Sequence, residues 1–151
     1  MPTTTPTAAM GLTQLEERVL VALVRATARA TERSNAVTRE AGLSPSQYNV
    51  LRILAAAGPA GLSCNEIADR MVTREPDLTR LLAGLAGKRA VSSSRSPLDG
   101  RVRLNRLTAK GTALLERLDT RVTEAAIASL GHLGRTKLTR LHDLLEAVAN
   151  A

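Results

Sequence analysis

The sequence predicts a mainly α-helical chain with a small β-wing: a winged helix-turn-helix domain plus N- and C-terminal dimerisation helices. Three observations carry this expectation. Residues 63–88 read as two short helices joined by a tight turn, and residues 91–107 directly after them read as strand, turn and strand. Long apolar-striped helices then stand at both ends of the chain, around this compact middle. A chain of 151 residues that is 44% hydrophobic holds one domain, or one domain with a dimerisation extension, and has enough apolar material for a core. That core must be aliphatic, because the chain has no Phe or Trp and a single Tyr.

Residues 1–11, rich in Thr, Pro and Ala, lack a basic start followed by an apolar run, so they are expected to be a disordered tail and not a signal peptide. Thr13-x-x-Glu16 has capping-box spacing and opens a helix over 14–41, with Leu15, Val19, Ala22, Leu23 and Ala26 at helical spacing and Gly42-Leu43 as its stop. At 1.5 Å per residue that helix is about 42 Å long, more than the width of a small winged domain, so it is expected to project into a partner. Ser44-x-x-Gln47 caps the next helix, which turns Tyr48, Val50, Leu51 and Leu54 inward and stops at Gly58-Pro59. Gly61-Leu62 is a candidate short third strand for the wing sheet.

Ser63 and Glu66 repeat the capping-box spacing and start the first helix of the pair, which ends near Met71 with Cys64, Ile67, Ala68 and Met71 on one face. Thr73 is expected to cap the second helix, with Pro76 in its first turn and Leu78, Leu81, Leu82 and Leu85 as its buried stripe. Its exposed face then carries Arg74, Asp77, Thr79, Arg80 and, further on, Lys88, which with Thr73 are the candidate DNA contacts. Arginine and threonine near the start of an exposed helical face suit base edges and phosphates in a major groove. In the hairpin, Ser96-Pro97-Leu98-Asp99-Gly100 is the turn between Val91–Arg95 and Arg101–Leu107. Val102, Leu104 and, shifted by one past Asn105, Leu107 supply its apolar positions.

Thr108-Ala109-Lys110-Gly111 begins a long helix to about Leu130 that includes Leu114, Leu115, Leu118, Val122 and Ile127. Gly131 and Gly134 interrupt it, and a last helix near 135–149 carries Leu138, Leu141, Leu145 and Val148 at spacings of 3, 4 and 3. These end helices are expected to pair between subunits; the alternative is that they fold back within the chain. The resulting division is a tail over 1–11, dimerisation helices over 12–42 and 112–151, and a winged helix-turn-helix DNA-binding domain over 43–111.

Net charge is +7, and its distribution matters more than its size. Residues 70–110 hold ten Lys/Arg against three acids, so they carry the whole excess, while the remaining eleven basic and eleven acidic side chains cancel. The excess falls on the second helix of the pair and the wing, which favours double-stranded DNA over a membrane surface or an acidic protein. No stretch approaches the roughly 20 apolar residues of a membrane span, so a cytoplasmic protein with no membrane partner is expected.

Few residues offer other chemistry. Cys64, the only cysteine, falls on the Ile67/Met71 stripe and is read as a buried structural thiol; its place in a first helical turn leaves a redox switch as the alternative. His132 and His142 lie ten apart without a Cys or clustered acids nearby, so no metal is expected. Tyr48 is read as a core residue whose hydroxyl could line a pocket. No nucleophile, base and orienter combination, phosphate loop or carboxylate pair occurs, so neither an enzyme nor a cofactor is expected.

Taken together, the order of elements and three motifs resemble the MarR family of winged-helix transcriptional regulators. The motifs are Leu43-Ser44-x-x-Gln47-Tyr48-x-x-Leu51, Pro76-Asp77-Leu78-Thr79-Arg80-Leu81, and Asp99-Gly100-Arg101 leading to Leu107-Thr108-x-Lys110-Gly111. The resemblance covers roughly 44–118, and the flanking helices match in length and placement. It implies a triangular homodimer with recognition helices in successive major grooves, wings in minor grooves, and a cleft for a small-molecule effector between the dimerisation and DNA-binding parts. On that reading Arg74, Asp77, Thr79 and Arg80 serve the major groove and Arg101 the minor groove. Arg95 and Arg103 hold phosphates, and Asp99 orients Arg101 through a charge-assisted hydrogen bond. The function expected is a repressor, acting on a pseudo-palindromic operator and released by a ligand. The alternatives are a dimeric winged-helix protein-interaction module and a regulator switched through Cys64.

Two features depart from the family pattern. Gly84 and Gly87 each cost about 1 kcal/mol relative to Ala in a helix interior, and Gly87 is the expected stop of the recognition helix. Where similar proteins have Lys/Arg-Gly-Leu-Val at the exit into the wing, this chain has Lys88-Arg89-Ala90-Val91, followed by Ser92-Ser93-Ser94 in place of a commonly charged run.

Overall fold

A computed structural model describes residues 14–151; the tail expected over 1–11 and the Thr13 cap lie outside the described residues. The first helix, α1, runs Leu15–Glu40 with Gln14 at its N-cap and no side-chain cap, and Glu16 and Glu17 in its first turn complement the helix dipole. Its far end is closed by Gly42 at φ +72°, where Gly42 N–H donates to Arg39 O at 2.9 Å and Leu43 N–H to Thr38 O at 3.0 Å. Helix α2 (Pro45–Ala57) starts with the expected capping box, Ser44 Oγ accepting from Gln47 N–H and Gln47 Oε1 from Ser44 N–H. It ends at Gly58, φ +68°, in the 3-10 turn Gly58–Ala60.

Helix α3 (Cys64–Arg70) begins at the Ser63/Glu66 capping box. Ile67 is fully buried and Cys64 and Met71 half-buried, whereas Ala68 faces solvent: it is adjacent to Ile67 on a seven-residue helix that presents only a narrow strip to the core. Helix α4 (Leu78–Gly87) differs at its start from the sequence expectation. Asp77, and not Thr73, is the N-cap, and Pro76 precedes the helix. The ring of Pro76 disfavours helical dihedrals at Glu75, so residues 73–75 cannot join the helix, and the first strong cap beyond the proline takes over. The buried stripe is as expected, with Leu78, Leu82 and Leu85 buried and Leu81 partly so. The helix ends at Gly87 with Lys88 as its C-cap.

Strands β1 (Val91–Arg95) and β2 (Arg103–Leu107) pair antiparallel in an unbroken register, from Val91 opposite Leu107 to Arg95 opposite Arg103. The turn between them reaches Val102, whose carbonyl accepts from Ser96 N–H at 2.8 Å. The shift expected past Asn105 does not occur. Asn105 takes the inward position itself and is 6% exposed, because Leu62 on the far side of β2 satisfies it: their backbones bridge and Asn105 Nδ2 donates to Leu62 O at 3.2 Å. Leu62 is thus the third strand, reduced to one bridge.

Helix α5 (Ala109–Leu130) is capped by Thr108, whose Oγ1 accepts from Gly111 N–H at 3.0 Å. After the 3-10 turn Gly131–Leu133, helix α6 (Arg135–Ala149) completes the chain. Among the described residues, the buried hydrophobic ones all lie between Leu43 and Leu118, with Val50, Leu51, Leu54, Ile67 and Leu85 the largest side chains sealed from solvent. Helix α1 lies along α5, where Glu40 and Arg121 form an ion pair. The outer parts of these long helices and the whole of α6 keep apolar side chains exposed, among them Leu20 at 62%, Ile127 at 64% and Val148 at 64%. Among the described residues, no helix is long and apolar enough to cross a membrane.

Candidate nucleic-acid interface

The candidate interface is assembled from the outer faces of α3 and α4 and the wing. Ser63 fixes the start of α3 through Glu66, whose carboxylate accepts from both Ser63 N–H and Ser63 Oγ at 2.8 Å. Those bonds, the backbone one first, hold the Glu66 carboxyl below the usual carboxylate range. The loop to α4 is tied down from outside, by Val72 N–H donating to Asn49 Oδ1 of α2 at 3.0 Å. Asn49 carries no signal in the sequence beyond its place on the polar side of α2.

Asp77 Oδ1 accepts from Arg80 N–H at 3.0 Å, so the carboxylate caps α4. Thr79 and Arg80 are exposed in the first turn, and Thr73 and Arg74 sit in the preceding loop, also exposed. Beyond that turn the outer face of α4 is built of Ala83, Gly84, Ala86 and Gly87, which offer no long side chain. Gly84 has a packing reason, since a Cβ there would lie 2.9 Å from Gln47 Nε2. Lys88 is at the other end of the helix, about 12 Å along its axis from Arg80, with its ammonium against Gly42. The structure therefore groups Arg74, Asp77, Thr79 and Arg80 and leaves Lys88 apart.

Between α3, α4 and the wing lies a groove of about 640 Å³. Thr79 and Ala83 line one wall, Ser93, Arg101 and Arg103 the other, and Ser63, Cys64 and Asn65 close one end. Cys64, expected as a buried structural thiol, is a free thiol that packs against the core but is only half-buried, because the helix start that carries it opens into this groove. Arg95 and Arg103 stand directly opposite each other, an unfavourable like-charge pair that a phosphate between them would relieve. The Arg103 guanidinium folds over β1, donating from Nε to Ser93 Oγ at 3.1 Å and from Nη2 to Ser93 O at 3.3 Å.

At the wing tip, Ser96 Oγ accepts from Leu98 N–H and Asp99 N–H, and Leu98 is 97% exposed. Asp99 acts differently from the expectation. Its Oδ1 accepts from the main-chain N–H of Arg101 at 2.9 Å, an Asx-type turn, and not from the guanidinium. Two residues downstream in a tight turn, the amide is the nearest donor; the side chain of Arg101 is exposed on the groove wall.

Behind the interface, Tyr48 of α2 is half-buried and its hydroxyl donates to Asp119 of α5, with Arg52 Nε 4.0 Å from the same carboxylate. Burial first, then the Asp119 hydrogen bond and charge, push the Tyr48 phenol up to about 12. His132 and His142 are exposed, and the described residues contain no His/Cys/Asp/Glu group of metal-binding size.

Comparison with known proteins places this arrangement. The MarR family profile matches residues 41–102. A MarR transcription factor from Planctomyces limnophilus is 32% identical over 91% of this chain and 98% of its own, with a TM-score of 0.70. The transcriptional repressor CouR, solved bound to a 23-mer DNA duplex, is 32% identical over 89% of this chain and 94% of its own, with a TM-score of 0.79. PcaV, a transcriptional regulator from Streptomyces coelicolor solved with its natural ligand, is 25% identical over 95% of this chain and 98% of its own, with a TM-score of 0.70. No curated protein sequence matches the chain. With identity at that level over nearly the full length of its relatives, the chain belongs to the MarR family: it is a winged-helix transcription regulator, not an enzyme.

Proposed function

We propose that this regulator is a homodimeric repressor that binds a pseudo-palindromic operator in double-stranded DNA and is released by a small-molecule effector. One observation carries the proposal: the chain's entire positive excess falls within residues 70–110, and within that stretch Arg74 and Arg80 are exposed just before α4 and in its first turn, while Arg101 and Arg103 line the groove between α4 and the wing. The DNA duplex bound by CouR supports DNA as the partner, and the ligand bound by PcaV supports an effector. Residues 43–111 then act as the DNA-binding domain, and 12–42 and 112–151 as dimerisation helices. In this reading Arg74, Thr79 and Arg80 face the major groove and Thr73 stands at its edge. Arg101 enters the minor groove, Arg95, Arg103 and Lys88 hold phosphates, and Asp77 and Asp99 shape the helix start and wing tip that present them.

Selection of duplexes from a random-sequence pool tests the proposal. An inverted repeat with half-sites about one turn, ~10 bp, apart is expected. Direct repeats or a lone half-site contradict the two-fold dimer, and no enrichment at all favours a protein-interaction module.

A further inference from the structure

We infer that Arg106 is the positioning residue of the wing: it sets the angle at which Arg101 meets DNA and is not itself a phosphate contact. This rests on the DNA-binding proposal. Arg106 belongs to β2 and points to the face opposite Asn105, away from the groove that Arg101 and Arg103 line. Its Nε donates to Pro59 O at 2.8 Å and its Nη1 to Ser94 Oγ at 2.7 Å. One planar fork thus ties the turn after α2 to both wing strands. Its stem lies on the backbone of Gly61, which has φ +73° and where a Cβ would sit 2.6 Å from Arg106 Cγ. The close approach needs a glycine, and Gly61 supplies it.

The wing depends on such ties. A two-stranded hairpin is marginal alone, and β1 buries only Val91, its other four residues being exposed. Asn105 anchors the inner face to Leu62, and Arg106 anchors the outer face to Pro59. Arg101 lies five residues beyond Arg106, a lever of about 17 Å at strand rise, so a rotation of about 10° at the root moves the tip by about 3 Å. That is a full hydrogen-bond length, enough to take Arg101 out of a narrow groove.

The test uses the duplex that the full-length protein selects from a random pool, with A·T-rich and G·C-rich flanks, at several salt concentrations. Arg106→Met keeps the apolar stem and loses both donors. It is expected to bind A·T-flanked sites about tenfold more weakly, with the half-site motif unchanged. Arg106→Lys should not rescue, because one ammonium cannot span both acceptors as the guanidinium fork does. The Arg101→Ala/Arg106→Met double variant should bind no more weakly than Arg101→Ala, since the second change acts through the first residue. Additive losses with rescue by lysine would make Arg106 a phosphate contact and overturn the inference, as would wild-type binding by Arg106→Met. If circular dichroism shows Arg106→Met unfolded, the lysine variant alone carries the same comparison. Failure of the wild-type protein to select any duplex removes the DNA proposal itself, and this inference with it.

Discussion

Arg80 and Arg101 are both exposed arginines, and the proposed function assigns them to different grooves. Arg80 stands in the first turn of α4, its own N–H held by Asp77. Arg80→Ala should cost about 1–3 kcal/mol and relax preference at one position per half-site. Arg101→Ala should instead weaken binding most on A·T-rich flanks and lower the salt slope by roughly one per subunit, without altering the half-site motif. Titrations against central and flank variants of the selected site separate the two; equal losses on every sequence would reduce both residues to phosphate contacts. Tyr48 permits a cleaner test, being the chain's single tyrosine. Its folded pKa lies above the unfolded value near 10, so the fold favours the protonated phenol. That contribution is whole below about pH 10 and is lost as pH rises through about 12. Tyrosinate absorbance should therefore titrate near pH 12 in the folded protein and near 10 in denaturant. Asp119→Asn should bring the folded midpoint part of the way down, because burial, the larger cause, remains. A folded midpoint at the denatured value would refute the buried hydrogen bond.

The junction between α4 and the wing is where one element constrains the next. Arg89 takes φ +59°, the left-handed region, at the position where similar proteins have glycine. It is held there on both sides: Arg89 N–H donates to Ala86 O at 2.9 Å, and Thr108 Oγ1 donates to Arg89 O at 2.6 Å. Ala90 O then accepts from Thr108 N–H and packs against Gly111, where a Cβ would lie only 2.0 Å from that oxygen. Arg89→Gly should relieve the backbone strain and stabilise the fold by about 0.5–1 kcal/mol, net of the extra freedom glycine has in the unfolded chain. Gly111→Ala should force α5 off Ala90 and cost about 2–3 kcal/mol, since the clash is with backbone and no side chain can move aside. Denaturant midpoints measure both, and an Arg89→Gly variant less stable than wild type would mean the side chain contributes more than its conformation costs.

At the scale of the molecule, the core between Leu43 and Leu118 is closed, whereas the end helices are not. Among the described residues, Leu15, Val19, Leu20 and Val24 on α1 and Leu144, Leu145 and Val148 on α6 are exposed. In the proposed homodimer a second copy would bury them, and stability would then depend on protein concentration. Deleting residues 135–151 should convert a sedimenting dimer to monomer and lower operator affinity, and the thermal midpoint of the full chain should rise with concentration. A truncated protein that still sediments as a dimer would move the interface away from α6.

The sequence by itself determined the order and type of the elements, because the signals involved are local. Ser44/Gln47 and Ser63/Glu66 cap across one turn, Thr108 does the same for α5, and the leucine stripes repeat within single helices. The strands of the wing followed from the chemistry of the turn between them, and the charge excess from counting. Even locally, two caps competed before α4, and the effect of Pro76 on Glu75 decided for Asp77. Only the tertiary structure decided what depends on register and on distant partners. Asn105 turns inward because Leu62, 43 positions away, satisfies it; Arg106 braces the wing because Pro59 is 47 away; and Tyr48 meets Asp119 across 71 residues. Periodicity says which face a side chain occupies, but a hydrogen bond between elements requires the packed core to bring its two ends together.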